Sequence, residues 1–260
     1  MAALVGLGSP LACRWEGGGV LGRRLPTGLN APGTGEGRLT ARPAGPAEAT
    51  PGDAPGRGLQ PLDLETGRDG FLYVPSGYQP EHPLPLLVTL HGAGGDALGG
   101  LSPFRDRADD AGLLLLSPDS RGRTWDAILG RYGPDVAFLD RALRHTFERY
   151  AVDAGNVAVA GFSDGASYAL GLGLANGDLF GRVVAFSPGF IPFARRHGRP
   201  RVFVSHGKAD DVLPIDRCSR PIVRRLQSDR YDVRYREFDG GHAVPPEVVD
   251  EALAWWQEGG

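Results

Sequence analysis

Along most of the chain, short apolar runs alternate with longer stretches in which apolar residues recur every three or four positions. Phe71–Val74 reads as a strand closed by Pro75 and Gly77. Leu86–His91, Leu113–Ser117, Val157–Gly161, Val183–Ser187 and Val202–His206 are apolar runs without strict alternation. A strand with one wet face alternates apolar and polar residues, so these runs predict strands covered on both sides, as in a parallel sheet. The clearest helical pattern starts at Pro134, a residue suited to a first helical position, and repeats Val136, Leu139, Leu143, Phe147 and Tyr150. Val233–Phe238 reads as a last strand, and Pro246–Gln257 as a closing helix with Val249, Leu253 and Trp256 on one face. Near the start, Gly37–Pro43 predicts an edge strand with Leu39 and Ala41 turned inward. Strand and helix repeated in this way predict a doubly wound, mostly parallel α/β sheet.

Composition changes that picture at one end only. The first 60 residues hold 14 Gly and 7 Pro, a density well above that of the remaining 200. This marks residues 1–35 as a flexible Gly/Pro-rich leader, with residues 36–260 as one catalytic domain. Gly17, Gly19 and Gly22 spell GxGxxG, but no strand precedes them and Pro26 spoils the following helix, so they predict no dinucleotide site. The leader has no basic residue before Arg14 and only a short apolar stretch, which makes a poor signal peptide; a cytoplasmic protein is expected. Net charge is −3, against a nucleic-acid surface, and no apolar run approaches the ~20 residues of a membrane span. Cys13 and Cys218 are too few for a disulfide scaffold or a four-cysteine zinc site. Arg supplies 27 of 28 basic residues, a bias that suits a GC-rich genome.

The chemistry concentrates in four places. Gly161-Phe162-Ser163-Asp164-Gly165 follows an apolar strand and opens a helix, the context of a nucleophile elbow. So tight a turn leaves no room for side chains two residues before and after the serine. A serine hydroxyl is a weak nucleophile and needs a base, and the base needs an orienting carboxylate. Of the histidines downstream, His206 ends a buried strand and reads as structural, and His197 sits in an Arg-rich loop. His242, in Asp239-Gly240-Gly241-His242 between the last strand and the closing helix, is the expected base. The acid should follow the strand ending at His206. Asp210, three residues after Gly207, is favoured; Asp211 is the alternative, otherwise capping a helix near Pro214. Finally, His91-Gly92-Ala93-Gly94-Gly95 follows a strand, and its small residues let a backbone N–H approach a substrate oxygen. The N–H groups of Ala93 and Asp164 are the expected oxyanion donors.

With LHGAGG, GFSDG, HGKADDVLP and GGH in this order, the chain from about Gly67 onward resembles the α/β-hydrolase superfamily. It is most similar to the small phospholipase/carboxylesterase-type serine esterases and, more loosely, to polyhydroxyalkanoate depolymerase-like esterases. The resemblance implies a serine carboxylesterase working through an acyl-enzyme, without metal or organic cofactor. One departure is Asp164, where those carboxylesterases usually carry Gln; a carboxylate there would disfavour anionic substrates. Dienelactone hydrolases are similar in size but use Cys where this chain has Ser163.

Only 14 residues separate Ser187 from Val202, too few for a large cap domain, so an open site is expected. Phe190, Ile191 and Trp125 are candidate walls of the substrate pocket. The expected substrates are short- to medium-chain esters, with polyesters sterically admitted, acted on by a monomer or small homo-oligomer. A peptidase or thioesterase of the same fold is the alternative, and a non-catalytic binding relative the more distant one.

Overall fold

The unalternated apolar runs become strands buried on both faces. The computed structural model describes residues 36–43 and 56–258. The leader, its glycine motif and Cys13 lie outside the described residues. Eight strands form one sheet: β1 (Gly58–Pro61), β2 (Gly70–Val74), β3 (Leu84–Leu90), β4 (Leu114–Pro118), β5 (Val152–Phe162), β6 (Arg182–Phe186), β7 (Arg201–Gly207) and β8 (Val233–Phe238). Their spatial order is β1-β2-β4-β3-β5-β6-β7-β8. The last six in that order run parallel, while β1 and β2 pair antiparallel at one edge. Successive side chains of a strand point to opposite faces, and here both faces find a helical layer. Leu86, Val88, Val157, Val159, Val183 and Val202 pack under α2 (Pro134–Arg149), α3 (Asp164–Ala175) and α4 (Ser219–Ser228). Leu87, Ala158, Val184 and Phe203 pack under α1 (Ala97–Ala111) and α5 (Pro246–Gln257). Each fully buried Val or Leu contributes about 1.5–3 kcal/mol over an exposed one, which is why both faces are mostly apolar. Among the described residues no helix is long and apolar enough to cross a membrane.

Topology also fixes where a ligand can reach backbone. From β3 the chain moves through α1 to β4 on one side, then crosses through α2 to β5 on the other and continues outward. The order reverses between β3 and β5, and the connections leave a crevice at their carboxyl ends. There the LHGAGG loop and the GFSDG turn emerge side by side, with Leu90 paired to Gly161.

Three expectations are corrected. Gly37–Pro43 joins no strand. Leu39 and Ala41 are buried as its alternation demands, but its backbone donors are taken by helix-layer side chains: Leu39 N–H by Asn176 Oδ1 (2.8 Å), Thr40 and Ala41 N–H by Asp140 Oδ1 (2.6 and 2.7 Å). The segment is a strap across α2 and α3. The true edge strand is β1, whose sequence GLQP carries little β signal and is held by its ladder to β2. And no helix starts near Pro214: residues 215–218 form turns, α4 begins at Ser219, and Asp211 is exposed and caps nothing.

Candidate active site

Ser163 lies between β5 and α3 with φ 57° and ψ −119°, a left-handed-side backbone that a non-glycine residue adopts only under constraint. The constraint is steric. A Cβ on Gly161 would sit 2.2 Å from Gly165 O, and one on Gly165 would sit 2.2 Å from Leu90 O. Hydrogen bonds from Ser163 N–H to Phe186 O (2.9 Å) and from Ser167 N–H to Ser163 O (3.0 Å) hold the turn from both sides. The hydroxyl is thus presented at the crevice on rigid elements.

Three loops bring the other groups to it. His242, after β8, places Nε2 2.9 Å from Ser163 Oγ and Nδ1 2.7 Å from Asp210 Oδ2. A carboxylate only accepts, so Nδ1 carries the proton and Nε2 is free to accept from the serine hydroxyl. Asp210, after β7, has a fully buried side chain. Its Oδ1 accepts the N–H groups of Val212 (3.0 Å) and Leu213 (2.8 Å), and the turn they form aims Oδ2 at the imidazole. Asp211 makes no such contact and points to solvent. The two loops are tied together by Lys208 N–H to Phe238 O and Ala209 N–H to Gly240 O, both 2.9 Å. Phe162 packs its ring against His242, centroids 4.7 Å apart.

The oxyanion loop after β3 is clamped more heavily than its glycines suggest. His91 Nε2 faces the Ser120 N–H at 3.0 Å, so that nitrogen accepts and Nδ1–H donates to Gly92 O at 2.7 Å. Burial pushes the His91 pKa below its ordinary value, with Arg68 adding to the effect, and this keeps the ring neutral in that tautomer. Arg68 also reaches Gly95 O (3.0 Å), and Gly94 N–H donates to Arg123 O (2.6 Å). Asp164 opens α3, so its N–H has no intrahelical acceptor. Its carboxylate is turned aside to Thr124, whose Oγ1 donates to Oδ2 at 2.6 Å. Sequence reasoning missed Arg68, Thr124 and the His91 clamp, because their partners lie 23 to 40 positions away with no motif to link them.

Of the candidate walls, Phe190 and Ile191 lie beside the elbow. Ser167, one turn into α3, accepts the N–H groups of Gly189 (2.9 Å) and Phe190 (3.4 Å). Phe190 is 41% exposed, and Ile191 packs half-buried on the core. Trp125 is a correction. It has no exposed surface, donates its indole N–H to His91 O (2.9 Å) and packs between His91 and Tyr168, so it supports the oxyanion loop from behind. An apolar ring that large gains more from full burial in the core than from lining an open mouth. Residues 187–200 contain no helix and cap nothing. A cleft of about 430 Å³ lined by Gln60, Asp63, His145 and Arg149 lies beside β1 and α2 and contains none of these groups.

Residues 138–224 match the Esterase family model, described as "Putative esterase". Feruloyl esterase C of Emericella nidulans is 28% identical over 178 residues, covering 63% of this chain and 64% of that protein. A probable feruloyl esterase C of Aspergillus niger is 25% identical over 241 residues, covering 78% and 88%. Among solved structures, esterase PE8 superposes with a TM-score of 0.58 at 23% identity, over 74% of this chain and 99% of its own. The Bacillus cereus carboxylesterase gives 0.58 at 19%, over 75% and 95%. The fold is that of the α/β hydrolases, and the described residues form no large cap domain. Fold and relatives together support a hydrolase of carboxylic esters.

Proposed function

We propose that Ser163 is the nucleophile, His242 the general base and Asp210 the carboxylate that fixes the imidazole tautomer. In this reading Ser163 Oγ attacks the ester carbonyl while His242 Nε2 takes its proton. The N–H groups of Ala93 and Asp164 receive the oxyanion, His242 returns the proton to the leaving alcohol, and water repeats the sequence on the acyl-enzyme. The observation that carries it is one imidazole hydrogen-bonded to both partners, 2.9 Å from the hydroxyl and 2.7 Å from the carboxylate. A fluorophosphonate probe should label the protein, and Ser163→Ala should abolish labelling; persistent labelling would move the nucleophile elsewhere.

The substrates proposed are esters with a short, medium or compact aromatic acyl group, set against Phe190 and Ile191. The names of the feruloyl esterase relatives support an aromatic acyl group, and the open mouth supports a bulky alcohol side. A panel of p-nitrophenyl esters from acetate to palmitate, with methyl ferulate, a thioester, a peptide and a polyester film, checks this. Turnover confined to the peptide or the thioester would replace the ester reading by another chemistry of the same fold. The catalytic unit is proposed to begin at residue 36, so deleting 1–35 should leave kcat/KM unchanged.

A further inference from the structure

We propose that His206 is a positioning residue for the reaction: held in one tautomer by Ser219, it donates its N–H to Leu213 O, fixing the turn that aims Asp210, and stands against the same oxygen of Asp210 that receives His242. This rests on Asp210 being the acid of the triad. His206 is wholly buried at the end of β7. Its Nε2 lies 2.7 Å from Leu213 O and 3.1 Å from Asp210 Oδ2. Both are acceptors only, so Nε2 must carry a proton. Its Nδ1 is hydrogen-bonded to Ser219 Oγ at the start of α4. Burial disfavours the imidazolium, so Nδ1 is bare and Ser219 O–H donates to it. Every proton is then placed: Ser219 donates to His206, His206 to Leu213 O, His242 to Asp210, and Ser163 to His242, with Nε2–H of His206 3.1 Å from Asp210 Oδ2.

Asp210 receives three hydrogen bonds, two from backbone N–H groups on Oδ1 and one from His242 on Oδ2, and the Nε2–H of His206 stands against that same Oδ2. A merely structural histidine at a strand end would be served by Leu213 O and Ser219 alone. The placement against Oδ2 does more: the hydrogen bond to Leu213 O holds the turn whose N–H groups aim Asp210, and the Nε2–H dipole fixes the oxygen that faces His242. The charged or titratable groups around His206 are Asp210 and His242, with Glu237 beside it on β8, itself paired with Arg220 of α4. Glu237 and Arg220 neutralise each other, which leaves Asp210 as the anion that His206 meets.

His206→Phe keeps an aromatic ring and removes the donor; His206→Gln keeps an N–H in about the place of Nε2. His206→Phe should lower kcat about 10- to 100-fold with KM nearly unchanged. With one positive dipole fewer beside Oδ2, the carboxylate raises the basicity of His242, so the acid limb of kcat/KM should move to higher pH, while the lost aim of the carboxylate lowers kcat. His206→Gln should restore most of kcat and return the limb. Rates are taken per active site counted with a fluorophosphonate, so partial misfolding does not mimic the effect. Unchanged kcat and acid limb in His206→Phe, or no rescue by Gln, overturns the proposal. Should His206→Phe fail to fold, ¹⁵N-histidine spectra of the native enzyme still decide: a protonated Nε2 and bare Nδ1 for His206 are expected, and the reverse tautomer overturns it. Asp210→Asn is the control: if that change is mild, the triad reading has failed, whereas a crippled Asp210→Asn beside a normal His206→Phe refutes the role of His206 alone.

Discussion

At Ser163 the hydroxyl, the imidazole and the carboxylate form one chain of hydrogen bonds, so their losses should not multiply. Ser163→Ala and His242→Ala should each lower kcat by roughly 10⁴- to 10⁶-fold, with the double mutant hardly worse. Multiplicative effects in single-turnover rates would mean that the residues act separately. The glycines around the serine were readable because excluded volume acts on residue identity alone, at any distance from the rest of the fold. Which of Asp210 and Asp211 meets His242 depends on a backbone turn, and adjacent like residues carry no such information. A second buried acid makes a different prediction. Asp135 is pushed up to about 6, chiefly by desolvation, while its carboxylate accepts the N–H groups of Arg121 (2.5 Å) and Asp126 (2.6 Å). Because its folded pKa lies above the unfolded value, the folded state binds the extra proton. Its stabilising share is present below about pH 4 and is lost as pH rises through about 6. The loss is on the order of 2–3 kcal/mol, or roughly 4–12 °C in Tm. Asp135→Asn should remove that component, so the Tm gap between variant and wild type should change between pH 4 and 7. A gap independent of pH would refute it.

Among the elements, the two-sided strands were the most legible, since burial on both faces leaves its mark in the central residues of β3 to β7. The 119–133 connection was the least. It positions Trp125 and Thr124 behind the oxyanion loop through contacts that no periodicity reports. The strap at residues 36–43 shows the same limit from the other side: its alternation was correct, but its hydrogen-bond partners are side chains on α2 and after α3 rather than a strand edge. Asp140 is the central anchor, accepting from the backbone of Thr40 and Ala41 and from the Thr40 hydroxyl (2.5 Å). Asp140→Ala leaves those donors unmatched and should cost about 1–3 kcal/mol, lowering Tm by several degrees. It should also speed tryptic cleavage at Arg38 while kcat stays at the wild-type value. A variant that loses activity without losing Tm would tie the strap to the active site instead.

For the whole molecule, the absence of a cap over residues 187–200 sets selectivity. A long acyl chain leaves its outer methylenes in water, and each forgoes about 0.8 kcal/mol of binding. Selectivity across the acyl series should therefore flatten or decline beyond the few carbons that Phe190 and Ile191 cover. Phe190→Ala should raise KM for butyrate esters more than for acetate esters, with kcat/KM measured below the critical micelle concentration. A maximum at palmitate, or equal effects at every length, would place the acyl pocket elsewhere. The fold class was legible because two-sided strands alternating with helices admit few architectures. The strap escaped because its partners lie so far along the chain: Leu39 meets Asn176 and Arg38 pairs with Asp178, 137 and 140 positions on. During synthesis at ~5–20 residues per second, those partners leave the ribosome roughly 7–28 s after the strap does. The strap is therefore without its partners for that interval, with Leu39 uncovered and Arg38 open to proteases. A chain that stalls before α3 is complete carries that exposed stretch indefinitely, a ready mark for its removal.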